Sequence, residues 1–326
     1  MASAKKVLKP IIVVAGPTAS GKTAVGIALA RKLLTEVISA DSRQIYRHMN
    51  IGTAKPHVFR KKTGADRRVV VDNIVHHMID ILDPAIEFSA GLYKEKVDAI
   101  IKDMHQRGKI PLIVGGTGLY IKAVTEGLCP APPVDQEIRK RLFELAKKYG
   151  NDYLYRQLKK ADPLGAKKIH PRNLVRVVRA LEVYRASGIP LSDFHKRTQK
   201  PSYRVLTFAL SWDREELRQR IQERTEGMFK SDLVREVKSL IRRGYSTKLQ
   251  SMQGLGYKEI VGYINGDYDL EEAKRQLVRD TSRYAKRQMT WFRKEKNIHW
   301  IKMDSKTSAR EVADRVKEYI AKKKMN

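Results

Sequence analysis

Gly16-Pro17-Thr18-Ala19-Ser20-Gly21-Lys22-Thr23 has the spacing Gly-x-x-x-x-Gly-Lys-Thr. A glycine-rich turn of this kind aims successive backbone N–H groups at an anion, and a helix starting at its end adds partial positive charge there. Lys22 can reach terminal phosphates, and the Thr23 hydroxyl can ligate a magnesium ion. The apolar run Ile11–Ala15 precedes the turn and the helical stretch Ala24–Leu33 follows it. Strand, turn and helix thus come in the order a phosphate cradle needs, which a chance match would lack. The loop is read as a polyphosphate site. ATP or GTP is the usual next inference, and the rest of the chain has to confirm it.

Asp41 heads the segment Asp41-Ser42-Arg43-Gln44-Ile45-Tyr46 at the end of the short apolar run Val37–Ala40. A carboxylate so placed opposite a phosphate loop can hold magnesium, act as a general base, or simply cap a helix. Gln44 carries both an amide donor and an acceptor, which suits the edge of a base. Arg220 and Arg224 share a helix face, where they could neutralise a leaving phosphate or pair with Glu216 and Glu223. Arg275, Arg279, Arg283 and Arg287 recur along a long helix, with Trp291 in the same register and Lys286, Arg293 and Lys294 beside it. Such a ridge suits a row of phosphates, since only Asp280 and Glu295 stand near as partners. Arg172, Arg176 and Arg179 lie at helical spacing beside Leu174, Val177 and Val178, which are read as core. His76 and His77 lack metal-ligand partners at suitable spacing and are read as packed core histidines.

Composition points outward to a partner. Lys+Arg number 66 against 36 Asp+Glu, a net charge of +30 over 326 residues. Nucleic acid is the simplest polyanion to explain that excess. Hydrophobic residues make up 42%, enough for a core. The single Cys129 excludes an intrachain disulfide and a cysteine-rich zinc site, and fits a reducing, cytoplasmic compartment. No apolar run reaches the roughly 18 residues of a membrane span, and Ile11–Ala15 is too short for a signal peptide, so no membrane contact is expected.

The elements that must position these residues alternate first. Strands are expected at Ile11–Ala15, Val37–Ala40, Val75–Ile81 and Ile110–Val114, and helices at Thr23–Leu34 and from Ser89 to Gln106. That order predicts an α/β fold: a P-loop-type parallel sheet flanked by helices, with ligands at the carboxyl ends of its strands. Pro130-Ala131-Pro132-Pro133 interrupts it, and Asp135–Lys148, Asn151–Lys160 and Asn173–Ser187 read as helices of an all-helical insertion. Domain bounds follow as 1–129 and 201–326 for the core, and 130–200 for the insertion. Val205–Ser211 returns to the sheet. Helices then run from Asp213 to Phe229, Leu233 to Arg243 and Leu270 to Lys294, with Gly254–Tyr257 as a turn. Ile298–Met303 is a late strand, and Ser305 is expected to cap the last helix.

Taken together, Gly16–Thr23, Asp41–Tyr46, Ile51-Gly52-Thr53-Ala54-Lys55-Pro56, Gly115–Tyr120 and Ala285-Lys286-Arg287-Gln288-Met289-Thr290-Trp291 resemble the bacterial tRNA dimethylallyltransferases, the tRNA isopentenyltransferase (IPP transferase) family. The resemblance runs from about residue 9 to 303. It implies transfer of a dimethylallyl group from dimethylallyl diphosphate to N6 of adenosine 37, in tRNAs reading codons that begin with U. Gly16, Thr18, Ala19, Ser20, Gly21, Lys22 and Thr23 would then hold the diphosphate, with Mg2+ at Thr23. Thr18 and Arg224 would steady the leaving group, and Asp41 would accept the N6 proton as that nitrogen attacks the allylic C1. The adenine would be flipped out of the anticodon-loop stack.

The resemblance likewise implies tRNA contacts along the anticodon stem-loop. They fall at Asp41, Ser42, Arg43 and Gln44, at Thr117 and Arg139, and at Val175-Arg176-Val177-Val178-Arg179. Gln253-Gly254-Leu255-Gly256-Tyr257-Lys258 and Thr281-Ser282-Arg283-Tyr284-Ala285-Lys286-Arg287-Gln288 complete the set. The chain is expected to work as a monomer. A small-molecule P-loop kinase or an adenylate isopentenyltransferase would need neither the insertion nor the arginine ridge. A non-catalytic RNA-binding NTPase would hydrolyse nucleotide and tolerate loss of Asp41.

Overall fold

The computed structural model describes residues 8–63, 66–199, 201 and 203–323. Strand β1 (Lys9–Ala15) sets the architecture. Ile11, Val13 and Ala15 join one core cluster, while Ile12 and Val14 join a second on the opposite face. A strand apolar on both sides needs cover on both sides, as parallel sheets do.

Before the helical unit come α1 (Lys22–Leu33), β2 (Val37–Ala40), β3 (Phe59–Thr63), β4 (Asp66–Val71), β5 (Ile74–His77), α2 (Ala90–Gln106), β6 (Leu112–Gly115) and α3 (Gly118–Thr125). The unit itself holds α4 (Gln136–Tyr149), α5 (Asn151–Ala161), α6 (Pro163–Ala166), α7 (Leu174–Ser187) and α8 (Leu191–Lys196). After it come β7 (Tyr203–Ser211), α9 (Arg214–Lys230), α10 (Leu233–Arg242), α11 (Tyr257–Asn265), α12 (Leu270–Phe292), β8 (Ile298–Lys302) and α13 (Ala309–Lys322).

The 8-stranded sheet has the order β3-β4-β5-β2-β6-β1-β7-β8. Strands from β5 to β8 in that order run parallel, and the β3–β4 hairpin closes one edge antiparallel. Helices α1 and α13 cover one face, and α2, α3 and α9 to α12 the other. Ala15 and Ala40 both pair with Gly115, so the loops after β1, β2 and β6 leave from one rim. A Cβ on Gly115 would lie 2.2 Å from the Ala40 carbonyl oxygen, so this close approach needs glycine.

Glu126–Pro201 forms a separate compact unit. Leu142, Leu154, Leu158, Ala166, Val177, Val178 and Leu181 make its core. Asp135, Asp162 and Asn173 cap its helices through side-chain acceptors.

Several elements differ from expectation. The strand expected at Val75–Ile81 stops at His77, because Met78 and Asp80 take left-handed φ of 60° and 54°. The last helix is capped by Ser308, which forms a capping box with Glu311, and not by Ser305. Asp304 gathers the amides of Lys306 and Thr307 first, and that turn delays the helix. Trp291 does not continue the arginine row. Steps of four residues drift around a helix, by about 160° from 275 to 291. The indole therefore turns inward, where a Cβ on Gly118 would lie 2.3 Å from its Nε1.

Candidate active site

The loop after β1 is held residue by residue. Thr18 N donates to Gln288 Oε1 at 2.8 Å, and Gln288 Nε2 donates to the Gly116 carbonyl at 2.9 Å. Arg224 donates to Thr18 Oγ1 at 3.0 Å and to the Thr53 carbonyl at 3.2 Å. Arg220 Nε reaches the Ala19 carbonyl at 2.9 Å, and Trp212 Nε1 reaches the Ser20 carbonyl at 3.0 Å. Ala19 sits at φ 60°, a left-handed conformation that costs about 1 kcal/mol for a residue with a Cβ. Lys22 folds back so that its ammonium donates to the Pro17 carbonyl. Burial pushes the Lys22 pKa down to about 7; Asp41 opposes that shift, and Arg224 adds to it.

Asp41 lies across the same cavity, a space of about 490 Å³ lined also by Thr18, Lys22, Thr23, Arg220, Arg224 and Tyr284. Asp41 Oδ1 accepts from the amides of Arg43 at 2.8 Å and Gln44 at 3.2 Å, which fixes the carboxylate at the rim. Thr117 Oγ1 accepts from Ser42 N at 3.1 Å. Burial, with Asp41 adding, raises the Tyr284 hydroxyl pKa to about 12, so it stays a neutral donor. Desolvation also lowers the Arg224 pKa, yet a guanidinium remains charged.

One loop links Arg224 to the rest of the site. Glu236 accepts from the amides of Asn50, Ile51 and Gly52 at 2.8–3.1 Å, and from Tyr257 Oη at 2.7 Å. The Thr53 carbonyl beyond it accepts from both Arg224 and Gln44.

A family model described as IPP transferase matches residues 44–295. The chain belongs to this family. It is 44% identical over 310 residues to the tRNA dimethylallyltransferase of Pelotomaculum thermopropionicum, covering 94% of this chain and 95% of that one. To its counterpart in Halothermothrix orenii it is 46% identical over 298 residues, covering 90% and 88%. Among solved structures, the tRNA isopentenylpyrophosphate transferase of Bacillus halodurans aligns with a TM-score of 0.67 at 37% identity, covering 97% and 98%. A eukaryotic dimethylallyltransferase acting on tRNA aligns with a TM-score of 0.76 at 26% identity, covering 96% and 80%. The IPP transferase fold is thus the P-loop-type parallel sheet described above.

Of the residues singled out in the sequence, Gly21, Lys22, Thr23, Thr18, Ala19, Ser20, Asp41, Gln44 and Arg224 meet at one cavity, with Gly16 at the head of the loop. Arg220 turns to the loop and makes no pair with Glu216 or Glu223. The Gln44 amide nitrogen is occupied by the carbonyls of Thr53 and Ala54 at 3.3 and 3.2 Å, which leaves its oxygen for a ligand.

On α12, the side chains of Thr281, Ala285 and Gln288 are buried, and Gln288 serves the loop. Ser282 and Tyr284 are partly buried. Arg275, Arg279, Arg283, Lys286 and Arg287 are exposed. Glu272 was overlooked as a partner: it pairs with Arg275 at 2.8 Å, while Asp280 lies 3.4 Å from both Arg279 and Arg283. Across the turn before α11 and the first residues of that helix, Gly254, Gly256 and Tyr257 are buried, Leu255 and Lys258 are half-buried, and Gln253 is exposed.

In the helical unit, Val175 and Arg176 are exposed, whereas Val177 and Val178 are core. Arg139 and Arg179 converge on buried Glu182 at 2.9 and 2.6 Å. His76 is buried, but His77 is not a core histidine: its Nε2 meets Glu36 at 2.7 Å, beside Arg107 and Lys109. Glu236, Glu182, Trp212 and Gln288 in its loop role gave no sequence signal, since each acts through a partner distant in the chain.

Proposed function

We propose that the chain transfers the dimethylallyl group of dimethylallyl diphosphate to N6 of adenosine 37 in tRNAs reading codons that begin with U. The products are N6-isopentenyladenosine and diphosphate. The observation that carries this reading is the convergence of a phosphate loop, Arg224 on Thr18 and the carboxylate of Asp41 around one cavity, in a chain of net charge +30. N6 attacks the allylic C1, the C1–O bond breaks, and its electron pair leaves with the diphosphate. The loop amides, Lys22 and Arg224 meet that growing charge. Asp41 accepts the N6 proton, which an aromatic amine must lose when alkylated.

Magnesium belongs to this reading. Among the described residues no group of three or more His, Cys, Asp or Glu could hold a metal. Thr23 and Asp41 line the same cavity, and such a sparse donor set suits Mg2+, which keeps waters and takes other ligands from substrate phosphates. When bound, the ion offsets diphosphate charge; Thr23 would hold it.

Exposed Arg279, Arg283, Lys286 and Arg287, with Val175, Arg176, Arg139 and Arg179 of the helical unit, are the proposed contacts to the anticodon stem-loop. Thr117 and the Asp41–Gln44 segment would meet the base itself. Among the described residues no helix is long and apolar enough to cross a membrane. Action as a cytoplasmic monomer completes the proposal.

The test is incubation with dimethylallyl diphosphate, Mg2+ and a tRNA carrying A36-A37-A38, followed by nucleoside mass analysis. Isopentenyladenosine at position 37 is expected. No transfer together with robust ATP turnover would overturn the reading.

A further inference from the structure

We infer that Trp212 and Arg220 are positioning residues that orient the phosphate loop toward a diphosphate, an inference that rests on the reading of this loop as the diphosphate site. Consecutive carbonyls of the loop are each held by a side chain: Ala19 by Arg220 Nε at 2.9 Å and Ser20 by Trp212 Nε1 at 3.0 Å. In a trans peptide the C=O and the following N–H point in opposite directions. Fixing the Ala19 and Ser20 carbonyls on these side chains therefore turns the Ser20 and Gly21 amides away from them, both set by the same clamp. That is the arrangement an anion nest requires.

The two clamping side chains also hold each other. The Arg220 guanidinium lies 4.3 Å from the Trp212 ring centre, a stacked cation–π pair. Trp212 packs its ring against the core on the α1 and α13 face, so the pair is anchored to the sheet. The clamp acts where the loop is strained, at left-handed Ala19. Ser20 N meanwhile makes only a long 3.3 Å bond to the Pro17 carbonyl, which Lys22 also occupies. An arriving diphosphate can take over both donors without moving the peptide planes. The loop is thus shaped before the ligand arrives, and less binding energy is lost in ordering it.

The test uses the full chain with Mg2+ and inorganic pyrophosphate as the probe. Trp212→Phe keeps an aromatic ring, though a smaller one, and removes the donor; Arg220→Gln keeps a donor and removes the charge and the stack. For Trp212→Phe, pyrophosphate affinity is expected to fall about fivefold to tenfold, as for loss of one oriented hydrogen bond. The KM for dimethylallyl diphosphate should rise alike, with KM for tRNA unchanged and the melting temperature lowered only slightly by the stranded Ser20 carbonyl. Pyrophosphate should also shift the wild-type tryptophan emission, and that shift should vanish in Trp212→Phe. Unchanged pyrophosphate affinity, or a loss that tracks a lowered melting temperature and raises both KM values, overturns the inference. Wild-type protein that binds pyrophosphate but transfers no allyl group would refute the functional reading alone.

Discussion

Gln288 and Thr18, 270 residues apart, share a 2.8 Å hydrogen bond that ties α12 to the phosphate loop. The same amide donates to Gly116 and so bridges the loops after β1 and β6. The helix that offers arginines to solvent on one side thus braces the phosphate loop on the other.

Replacing Gln288 with Leu strands the Thr18 amide and the Gly116 carbonyl. An unpartnered buried polar group costs about 1–3 kcal/mol. Melting should shift down, and the KM for dimethylallyl diphosphate should rise about tenfold or more. Differential scanning fluorimetry and donor titrations at saturating tRNA check both. A variant with unchanged donor KM would detach Gln288 from the site.

Asp41→Asn isolates charge from geometry. The amide oxygen can still accept from Arg43 N and Gln44 N, so the turn should survive. Only the proposed proton acceptor is lost, and kcat should fall by about 100-fold or more, the usual weight of general-base catalysis. tRNA affinity by filter binding should stay within about twofold of wild type. A large binding loss with an intact rate would make Asp41 structural.

Lys22 gives the site a pH signature. In the free protein its pKa is pushed down to about 7, while a bound anion raises it. Binding above pH 7 therefore takes up a proton, and affinity should drop by up to tenfold per pH unit. Below pH 7 the ammonium is already charged and contributes no further slope. Pyrophosphate titrates too, so the readout is the affinity ratio of wild type to Lys22→Arg across pH 6 to 9. A flat ratio would sink the idea.

Glu36 should control acid stability. Burial raises its pKa, but hydrogen bonds from His77, Arg107 and Lys109 outweigh that and hold the carboxyl well below the usual range. A depressed carboxylate stabilises the fold above its unfolded pKa, near 4.5, and that stabilisation fades as pH falls toward the folded value. Breaking a buried pair costs about 3–5 kcal/mol; partly exposed cations reduce this to about 2 for Glu36→Gln. The melting gap between wild type and variant should be constant above pH 5 and narrow below it. A gap unchanged at pH 3 would contradict this.

Much of the scaffold was legible because its signals are local. Ile11–Ala15, the loop glycines, and the caps Ser89, Asp135, Asn173 and Asp213 act within a few residues of themselves. The β3–β4 hairpin was missed, since Arg60–Arg68 is dominated by charge and lacks strand alternation. Helix α3 was hidden behind the Gly115–Gly118 turn, where the glycines argue for a loop. The arginine row was legible as a pattern, but spacing did not show which neighbours face inward: Thr281, Ala285 and Gln288 do.

The sequence alone determined the phosphate loop, its strand and helix, the excess positive charge and the rim position of Asp41. The loop follows from local backbone geometry, the charge from composition, and the rim from the alternation of strand and helix signals. Tertiary structure decided what surrounds the loop: Gln288 on its amide, Arg224 on Thr18, Trp212 and Arg220 on its carbonyls, and Glu236 behind Thr53. These partners come from β7 through α12, and only the parallel sheet, by aligning its strand ends at Gly115, brings their supports to one rim. A hydrogen bond between residues far apart leaves no periodicity in either segment.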